Sequence, residues 1–364
     1  MRIRRLPIYF ESSIGFVCSF LLLIWINPLS AVQTSTRPQT QANIVYDSGF
    51  VSEQDRVLNQ ITGCDQRLHI QHDWSGGFEH LHSSCGCSSP ITLVTAYFAL
   101  EKSKHSLSEF DMWNARFFAL PDNMIIYTDE MSLARIAGTR SRSSGCTIVI
   151  LTEIWQTLLA MNIDWREQHE KDLEKEIHAP ELYIIWNQKS PWLAAAAEKN
   201  PFASRYFFWT DSGQFRDPIF IEEHVTHGER WIQNVDYLPH CTITFLSIKA
   251  FEKDELQLND LNRSKFINSN EVRLGGGNFG GDKCAVELWN RNFLKKINEY
   301  VDEGHFAGKD QPVYASTCIE NITACFFVAA NNVSDINDLW FAMQPVLHGL
   351  ARPVPRYEPV VGNS

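Results

Sequence analysis

Four segments of the sequence place polar residues or glycines directly after apolar runs that are predicted to be strands. They are Thr95-Ala96-Tyr97, Tyr127-Thr128-Asp129-Glu130, Trp209-Thr210-Asp211-Ser212-Gly213 and Gly275-Gly276-Gly277-Asn278-Phe279-Gly280-Gly281. Ligands of open α/β sheets bind outside the carboxyl ends of the strands. These segments are therefore the first candidates for a functional site.

Asp211 is the most informative of these residues. It follows the run Tyr206-Phe207-Phe208-Trp209-Thr210, and a hydroxyl and a glycine follow it. A carboxylate there can hold a divalent metal ion bound to phosphate oxygens, or it can accept hydrogen bonds from sugar hydroxyls. The alternative is an ordinary aspartate turn or helix cap at the end of a strand.

The glycine segment contains the spacing G-x-G-x-x-G and precedes a predicted helix, which formally matches a dinucleotide fingerprint. The match is weak, because five glycines in seven residues produce it almost automatically. The segment is not a P-loop, since Asp282 follows it where lysine is required. Glycines still allow a ligand to approach the backbone closely, and a helix N-terminus favours phosphate. The alternative is a flexible loop.

A second chemical signal is Gly308-Lys309-Asp310-Gln311. Asp310 could act as a general base for a sugar hydroxyl, and Lys309 could contact a phosphate. A solvated loop is the simpler interpretation.

Another candidate, a zinc site, would use the histidines and cysteines crowded between residues 72 and 87, which are His72, His80, His82, Cys85 and Cys87. Their spacing fits no standard zinc pattern, and disulfides are the expected alternative.

The charge of the chain argues against nucleic acid as a partner. The formal net charge is −11, and the one basic cluster is Arg2, Arg4 and Arg5 at the N-terminus. Phosphate neutralisation along nucleic acid requires clustered lysines and arginines. The composition, 44% hydrophobic and 12% aromatic, is that of a globular protein with a substantial core.

The elements that would position these residues alternate between short apolar runs and helical patterns, which predicts a parallel or mixed sheet flanked by helices. Predicted strands cover residues 91–98, 124–128, 147–151, 182–186, 206–210, 242–246 and 324–328. Predicted helices cover residues 106–118, 152–176, 190–199 and 283–301. Pro191 is expected in the first turn of its helix, behind an N-cap at Ser190.

The N-terminus predicts export to a membrane. Three arginines precede a nearly apolar run from Ile14 to Ile26, which suits a signal peptide or, extended to residues 12–32, a signal anchor. Either interpretation places the rest of the chain on the non-cytoplasmic side. We expect a leader at residues 1–33, a stem and Cys/His loop at 34–88, a catalytic domain at 89–350 and a tail at 351–364. The expected location is a type II protein of the ER or Golgi membrane, or a secreted protein.

Cysteine usage and glycosylation patterns agree with an exported chain. Eight of the nine cysteines follow the leader, and an even number permits full pairing, although the sequence does not reveal the connectivity. Three acceptor patterns begin at Asn262, Asn321 and Asn332.

Several segments together resemble the HtrL/YibB family of glycosyltransferase-like proteins. They are residues 92–98, 123–129, Trp186-Asn187-Gln188-Lys189, 200–202, 206–213, 276–281 and Asp310-Gln311, in family order between about residues 90 and 330. The resemblance implies an α/β, GT-A-like fold of the nucleotide-diphospho-sugar transferase type, with a mixed, mostly parallel sheet flanked by helices. It also implies transfer of a sugar from a nucleotide-diphospho-sugar donor to a glycan or glycoconjugate acceptor.

The resemblance further implies which residues act. Asp211 and Asp310 are the expected catalytic residues. The expected donor-binding residues are Thr95, Tyr97, Asp129, Lys189, Asp211, Gly213, Gly276, Gly277, Lys309 and Gln311. Related enzymes carry an Asp-x-Asp metal motif where this chain has Asp211-Ser212-Gly213, so a Mn²⁺ or Mg²⁺ ion at Asp211 would need Asp217, Asp129 or the donor phosphates to complete its coordination.

Two other functions remain open at this stage. A noncatalytic carbohydrate-binding or scaffold protein of the same fold would bind glycans without binding a donor. A nicotinamide-dependent oxidoreductase would bind its cofactor at residues 275–281, although the late position of the glycines and the exported compartment disfavour it.

Overall fold

A nine-stranded sheet forms the centre of the described part of the chain. The computed structural model describes residues 67–74, 85–224, 228–329, 339–351 and 354–356. The strands are β1 (Leu68–Gln71), β2 (Ile91–Tyr97), β3 (Met124–Thr128), β4 (Thr147–Leu151), β5 (Tyr206–Thr210), β6 (Ile243–Ser247), β7 (Leu274–Asp282), β8 (Cys325–Ala329) and β9 (Val354–Arg356). Their order across the sheet is β1-β4-β3-β2-β5-β7-β6-β8-β9.

Most neighbouring strands run parallel. The exceptions are β7, which is antiparallel to β5 and to β6, and β9, which is antiparallel to β8. The carboxyl ends of β2 and β5 therefore lie at the same edge of the sheet as the beginning of β7. The mixed, mostly parallel sheet expected from the sequence is confirmed, and it is consistent with a GT-A-like fold.

Helices flank the sheet. They are α1 (Leu107–Phe117), α2 (Glu130–Arg140), α3 (Leu158–Asn162), α4 (Trp165–Glu170), α5 (Pro180–Lys199), α6 (Pro218–His224), α7 (Lys283–Asp302), α8 (Asp310–Glu320) and α9 (Met343–His348), with short 3-10 helices at Ile154–Gln156 and Ile322–Ala324. Ser106 starts α1 through a capping box with Glu109, and Asp282 caps α7 by accepting from the Ala285 amide. Both of these helices were predicted.

The core has two parts because both faces of the sheet are covered. Alternate residues of a strand point to opposite faces, so Phe207 and Trp209 of β5 pack on one face while Tyr206 and Phe208 pack on the other. Helices α5, α7 and α8 supply the first face, for example through Leu193, Trp289 and Tyr314, and α1, α2 and α9 supply the second, through Phe117, Ile136 and Leu347.

The predicted strand at residues 182–186 is wrong, because this segment lies inside α5. A short apolar run cannot be assigned by its periodicity alone, and here Pro180 opens a twenty-residue helix. Pro191, expected in a first turn, lies in the middle of that helix. The predicted helix at residues 152–176 is also wrong. Asp164 accepts from the amides of Arg166 and Glu167 and starts a separate helix, α4.

The glycine segment forms the strand β7 and is neither a loop nor a strand-to-helix turn of the dinucleotide type. Gly280 lies opposite Phe208 of β5, and a Cβ on Gly280 would stand 2.3 Å from the Phe207 carbonyl oxygen. These glycines therefore let two strands and their side chains approach closely. Residues 275–281 therefore do not form the turn on which the disfavoured nicotinamide alternative depended.

Every cysteine among the described residues is disulfide-bonded. The pairs are Cys87–Cys146, Cys241–Cys284 and Cys318–Cys325, and Cys85 is bonded as well. Cysteines in disulfides cannot supply thiolates to a metal, so the zinc hypothesis based on Cys85 and Cys87 is wrong. His80 and His82 lie outside the described residues.

The sheet extends beyond the expected domain boundaries, since β1 lies within the predicted stem and β9 within the predicted tail. The leader and Asn332 lie outside the described residues. Asn262 is exposed, whereas the Asn321 side-chain amide donates to the Thr317 carbonyl. No helix in the described ranges has both the length and the apolar character needed to cross a membrane.

Candidate functional site

A cleft of about 820 Å³ opens at the edge where β2 and β5 end and β7 begins. Tyr97 of β2, Asp211 after β5, and Gly276 and Gly277 of β7 all line it. The cleft therefore occupies the position where open α/β sheets bind their ligands.

At the floor of the cleft, one ammonium group lies between two carboxylates. Lys189 Nζ is 3.1 Å from Asp211 Oδ1 and 3.1 Å from Asp310 Oδ2, and it donates to the Gly276 carbonyl at 2.9 Å. The contact with Asp310 is an ion pair outside the angles of a hydrogen bond, since Asp310 Oδ2 has no hydrogen-bond partner among the described residues. The cluster joins α5, α8, β7 and the end of β5.

The two carboxylates differ in exposure. The side chain of Asp211 is 39% exposed and that of Asp310 only 5%. Trp209 Nε1 donates to Asp211 Oδ1 at 2.7 Å, which leaves Oδ2 with only a longer 3.3 Å contact to Lys189. Asp211 can therefore contact a ligand through Oδ2, whereas Asp310 is covered.

Backbone contacts fix both carboxylates in place. The Asp211 amide donates to the Gly277 carbonyl at 2.8 Å, and the Gln214 amide closes a turn on the Asp211 carbonyl. Asp310 is the first residue of α8. The side chain of Asn187, one turn before Pro191 on α5, donates to the carbonyls of Ala307 and Gly308 and so holds the segment that leads into α8.

Gly276 and Gly277 are required by the same packing. A Cβ on Gly276 would lie 2.8 Å from Asp310 Oδ2, and a Cβ on Gly277 would lie 3.3 Å from Asp211 Oδ2. A side chain at position 276 would force the Asp310 carboxylate to move, and one at position 277 would make a tight contact with that of Asp211. The sequence predicted that these glycines let a ligand approach the backbone, whereas the groups that lie against Gly276 and Gly277 include the protein's own carboxylates.

Burial and charge act in opposite directions on this cluster. Burial raises the pKa of Asp310, and the nearby Lys189 ammonium only partly offsets this effect. Burial by itself would lower the pKa of Lys189, but Asp211 and Asp310 outweigh it and hold that pKa above its ordinary value. The ammonium is therefore charged at neutral pH. Burial and the Asp310 charge also keep the neighbouring Tyr314 hydroxyl protonated, with its pKa well above the usual one.

The lining of the cleft is positively charged although the chain is acidic. Four cations, Lys104, Lys189, Arg216 and Lys309, face three carboxylates, Glu174, Asp211 and Asp310. Lys309 pairs with Glu174, and the N-terminus of α8 opens at the same place. Positive charge and helix amides favour an anionic ligand.

Aromatic rings cover much of the remaining lining. They are Tyr97, Phe98, Phe110, Trp186, Trp209, Trp340 and Phe341. Arg216 lies over the Trp113 ring at 4.5 Å and over Phe341 at 5.5 Å. Flat apolar surfaces of this kind bind the faces of bases and of sugar rings.

Most of the residues expected to bind a donor line the cleft, but two do not. The lining includes Tyr97, Lys189, Asp211, Gly213, Gly276, Gly277, Lys309 and Gln311, together with Asp310. Thr95 is fully buried within β2 and lies outside the lining. Asp129 also lies outside it and caps α2 by accepting from the Ser132 amide at 2.7 Å.

Sequence reasoning missed one side of the cleft. Asp172 Oδ2 accepts from His178 Nδ1 at 2.7 Å and from the Tyr183 hydroxyl at 2.6 Å, and His178 and Glu174 line the cleft. The connection between α4 and α5 carries Asp172, Glu174 and His178, and Tyr183 lies in the first turn of α5. No motif marked them: Asp172 and Glu174 fell within the predicted helix at residues 152–176, and His178 followed it.

A divalent ion does not fit between Asp211 and Asp310, because the Lys189 ammonium already lies there. Asp129 caps α2, and Asp217 accepts from the Ile219 amide, so neither joins Asp211 at the cleft. Asp172, Glu174 and His178 come close enough to share an ion. Their nearest atoms, however, are engaged with Tyr183, with Lys309 and with one another.

Comparison with known proteins identifies a family for most of the chain. The sequence model described as "Bacterial protein of unknown function (HtrL_YibB)" matches residues 89–342. This range contains both carboxylates, Lys189 and the glycines of β7. A search of curated proteins gave no match.

Proposed function

Because the chain belongs to the HtrL/YibB family, whose description leaves the function unknown, we infer its function from the cleft and propose that it is a glycosyltransferase. The donor would be a nucleotide-diphospho-sugar and the acceptor a glycan or glycoconjugate. The observation that carries the proposal is the exposed carboxylate of Asp211 at the end of β5, in a cleft lined by cations and aromatic rings.

The lining supports each part of such a donor. Lys104, Arg216, Lys309 and the N-terminus of α8 suit a diphosphate. The aromatic rings suit the base and one face of the sugar. Asp211, whose side chain is 39% exposed, is left for a hydroxyl of the acceptor.

In the proposed reaction the acceptor hydroxyl oxygen forms a bond to the anomeric carbon of the donor sugar. The bond from that carbon to the β-phosphate oxygen breaks, and its electron pair leaves with the nucleoside diphosphate. Asp211 accepts the hydroxyl proton as general base. Asp310, to which the sequence assigned this role, instead holds Lys189, because its side chain is covered.

The proposal includes a compartment. Disulfides at every described cysteine favour an oxidising environment. Together with the basic and apolar leader they support a lumenal enzyme, either anchored in the ER or Golgi membrane as a type II protein or secreted.

The direct test is to add a panel of nucleotide sugars to the full-length protein. Thermal unfolding measures donor binding, and release of nucleoside diphosphate measures turnover. A donor that binds the folded state raises the unfolding midpoint by mass action. We expect Asp211→Asn to abolish turnover. Asp254→Asn serves as the control, because Asp254 pairs with Lys265 on the surface.

Two outcomes would count against the proposal. Full turnover in Asp211→Asn would remove Asp211 from the reaction. Binding of glycans with no response to any nucleotide sugar would identify the chain as a noncatalytic carbohydrate-binding protein of the same fold.

A further inference from the structure

Lys189 occupies an unusual position for a lysine. It lies in the middle of α5, its side chain is 4% exposed, and its ammonium is surrounded by oxygens from three elements. These oxygens belong to Asp211, Asp310 and the Gly276 carbonyl, all at about 3 Å. A charged group so deeply buried persists only when it is paired.

The groups around this ammonium are the ones that a hard divalent cation would take. Carboxylates and a backbone carbonyl are the usual ligands of Mg²⁺, Mn²⁺ and Ca²⁺ in proteins. Gly276 lacks a Cβ where one would clash with Asp310, so the arrangement is sterically specified. The lysine therefore fills an oxygen-lined position at the floor of the cleft.

The remaining charge of the cluster faces the ligand. Two carboxylates and one ammonium leave a net charge of about −1 when both acids are ionised, and Asp211 is the exposed member. Trp209 Nε1 donates to Asp211 Oδ1, and the Trp209 ring also lies 5.9 Å from the Lys189 ammonium. The diphosphate is thus left to the other cations of the lining, Lys104, Arg216 and Lys309.

From this geometry we infer that Lys189 is the resident cation of the site, and that donor binding and transfer proceed without a divalent metal ion. The part concerning the donor rests on the proposed function. The part concerning cation binding does not, because it follows from the positions of Lys189, Asp211 and Asp310 alone.

The cation part is tested by titrating the full-length protein with Tb³⁺ and with Mn²⁺ in the absence of any nucleotide. Trp209 lies beside Asp211, so an ion at that carboxylate would show terbium luminescence sensitised by the indole. We expect the wild type to show no saturable signal that is lost in Asp211→Asn. In Lys189→Ala the vacated oxygens should create a saturable site, and Lys189→Ala combined with Asp211→Asn should lose it.

Saturable binding of either ion to the wild type that disappears in Asp211→Asn would overturn the inference. If Lys189→Ala fails to fold, this comparison of wild type with Asp211→Asn still decides the matter. Failure of a folded Lys189→Ala to bind either ion would also contradict it, because the surrounding oxygens would then not form a cation position.

The donor part is tested by measuring nucleotide-sugar affinity in Mn²⁺ and in EDTA. We expect affinities within about twofold of each other, and a loss of about tenfold or more in EDTA would overturn the inference. A protein that binds no nucleotide sugar in either condition would contradict the proposed function and the donor part together. The ion titrations would then stand as a separate result.

Discussion

Asp211 and Asp310 are identical side chains that differ in burial. Both lie about 3 Å from the same ammonium and line the same cleft, but the side chain of Asp211 is 39% exposed and that of Asp310 only 5%. A second lysine, Lys296, is buried in the same way between Glu299 and Glu320, away from the cleft. Comparing the two lysines therefore separates the effect of such a cluster on stability from its effect on ligand binding.

Replacing either lysine by methionine should destabilise the fold by a similar amount. Removing one partner of a buried ion pair leaves uncompensated charge and costs about 3–5 kcal/mol. Urea unfolding measures this loss. Only Lys189→Met should also alter nucleotide-sugar binding, measured where both variants are folded. Equal loss of donor binding in Lys296→Met would show that the effect is global.

Asp122 provides a pH prediction. Burial raises its pKa to about 6, although the Trp231 amide, which donates to Oδ2, opposes the shift. The folded state then binds this proton more tightly than the unfolded state. Its stabilising contribution is complete below about pH 4 and is lost as the pH rises towards 6, by at most about 3 kcal/mol.

Asp122→Asn should flatten this part of the stability profile, as measured by urea midpoints between pH 4 and 7. The exposed Asp260→Asn is the control and should leave the slope in place. An unchanged slope in Asp122→Asn would mean that another group titrates.

At the scale of elements, β7 decides whether the site can form. Gly276→Ala would place a methyl group 2.8 Å from Asp310 Oδ2 and displace the carboxylate from Lys189. Gly275→Ala, one residue earlier, would meet only the Leu246 and Ile248 side chains at ordinary contact distances of 3.4–3.6 Å.

We expect Gly276→Ala to reduce transfer at least about tenfold, a change of 1.4 kcal/mol or more in the activation free energy, with Gly275→Ala close to the wild type. Release of nucleoside diphosphate measures both. Equal activity of the two variants would show that Asp310 tolerates displacement.

The elements also show what the sequence can predict. Tyr206–Thr210 is found by its bulky apolar residues, and Lys283–Asp302 by apolar residues three and four positions apart. β7 carries five glycines, so no strand propensity marks it, and its pairing depends on partners distant in the chain. Asp211 and Asp310 were predicted as site residues. Their shared contact with Lys189 was not predicted. Lys189 is positioned by α5, and residues 182–186 of that helix were predicted to form a strand.

At the scale of the whole molecule, disulfides stabilise the sheet. Cys87–Cys146 closes a loop with a sequence separation of 59 residues and joins the segment before β2 to the start of β4. Replacing both cysteines by alanine should cost about 4 kcal/mol by the loop-closure relation. Chemical denaturation under oxidising conditions measures the loss. The double variant of Cys318 and Cys325, with a separation of 7, should lose less.

The position of β7 has a consequence for how the chain becomes folded. Strands β5 and β6 are synthesised first, yet they are not neighbours, because β7 lies between them in the sheet. Each therefore keeps an open edge until residues 274–282 have emerged and inserted antiparallel to both. Such distant pairing slows folding and exposes strand edges meanwhile. The Lys189 cluster, which includes Gly276 of β7 and Asp310 of the later helix α8, consequently forms only after β7 has joined β5 to β6.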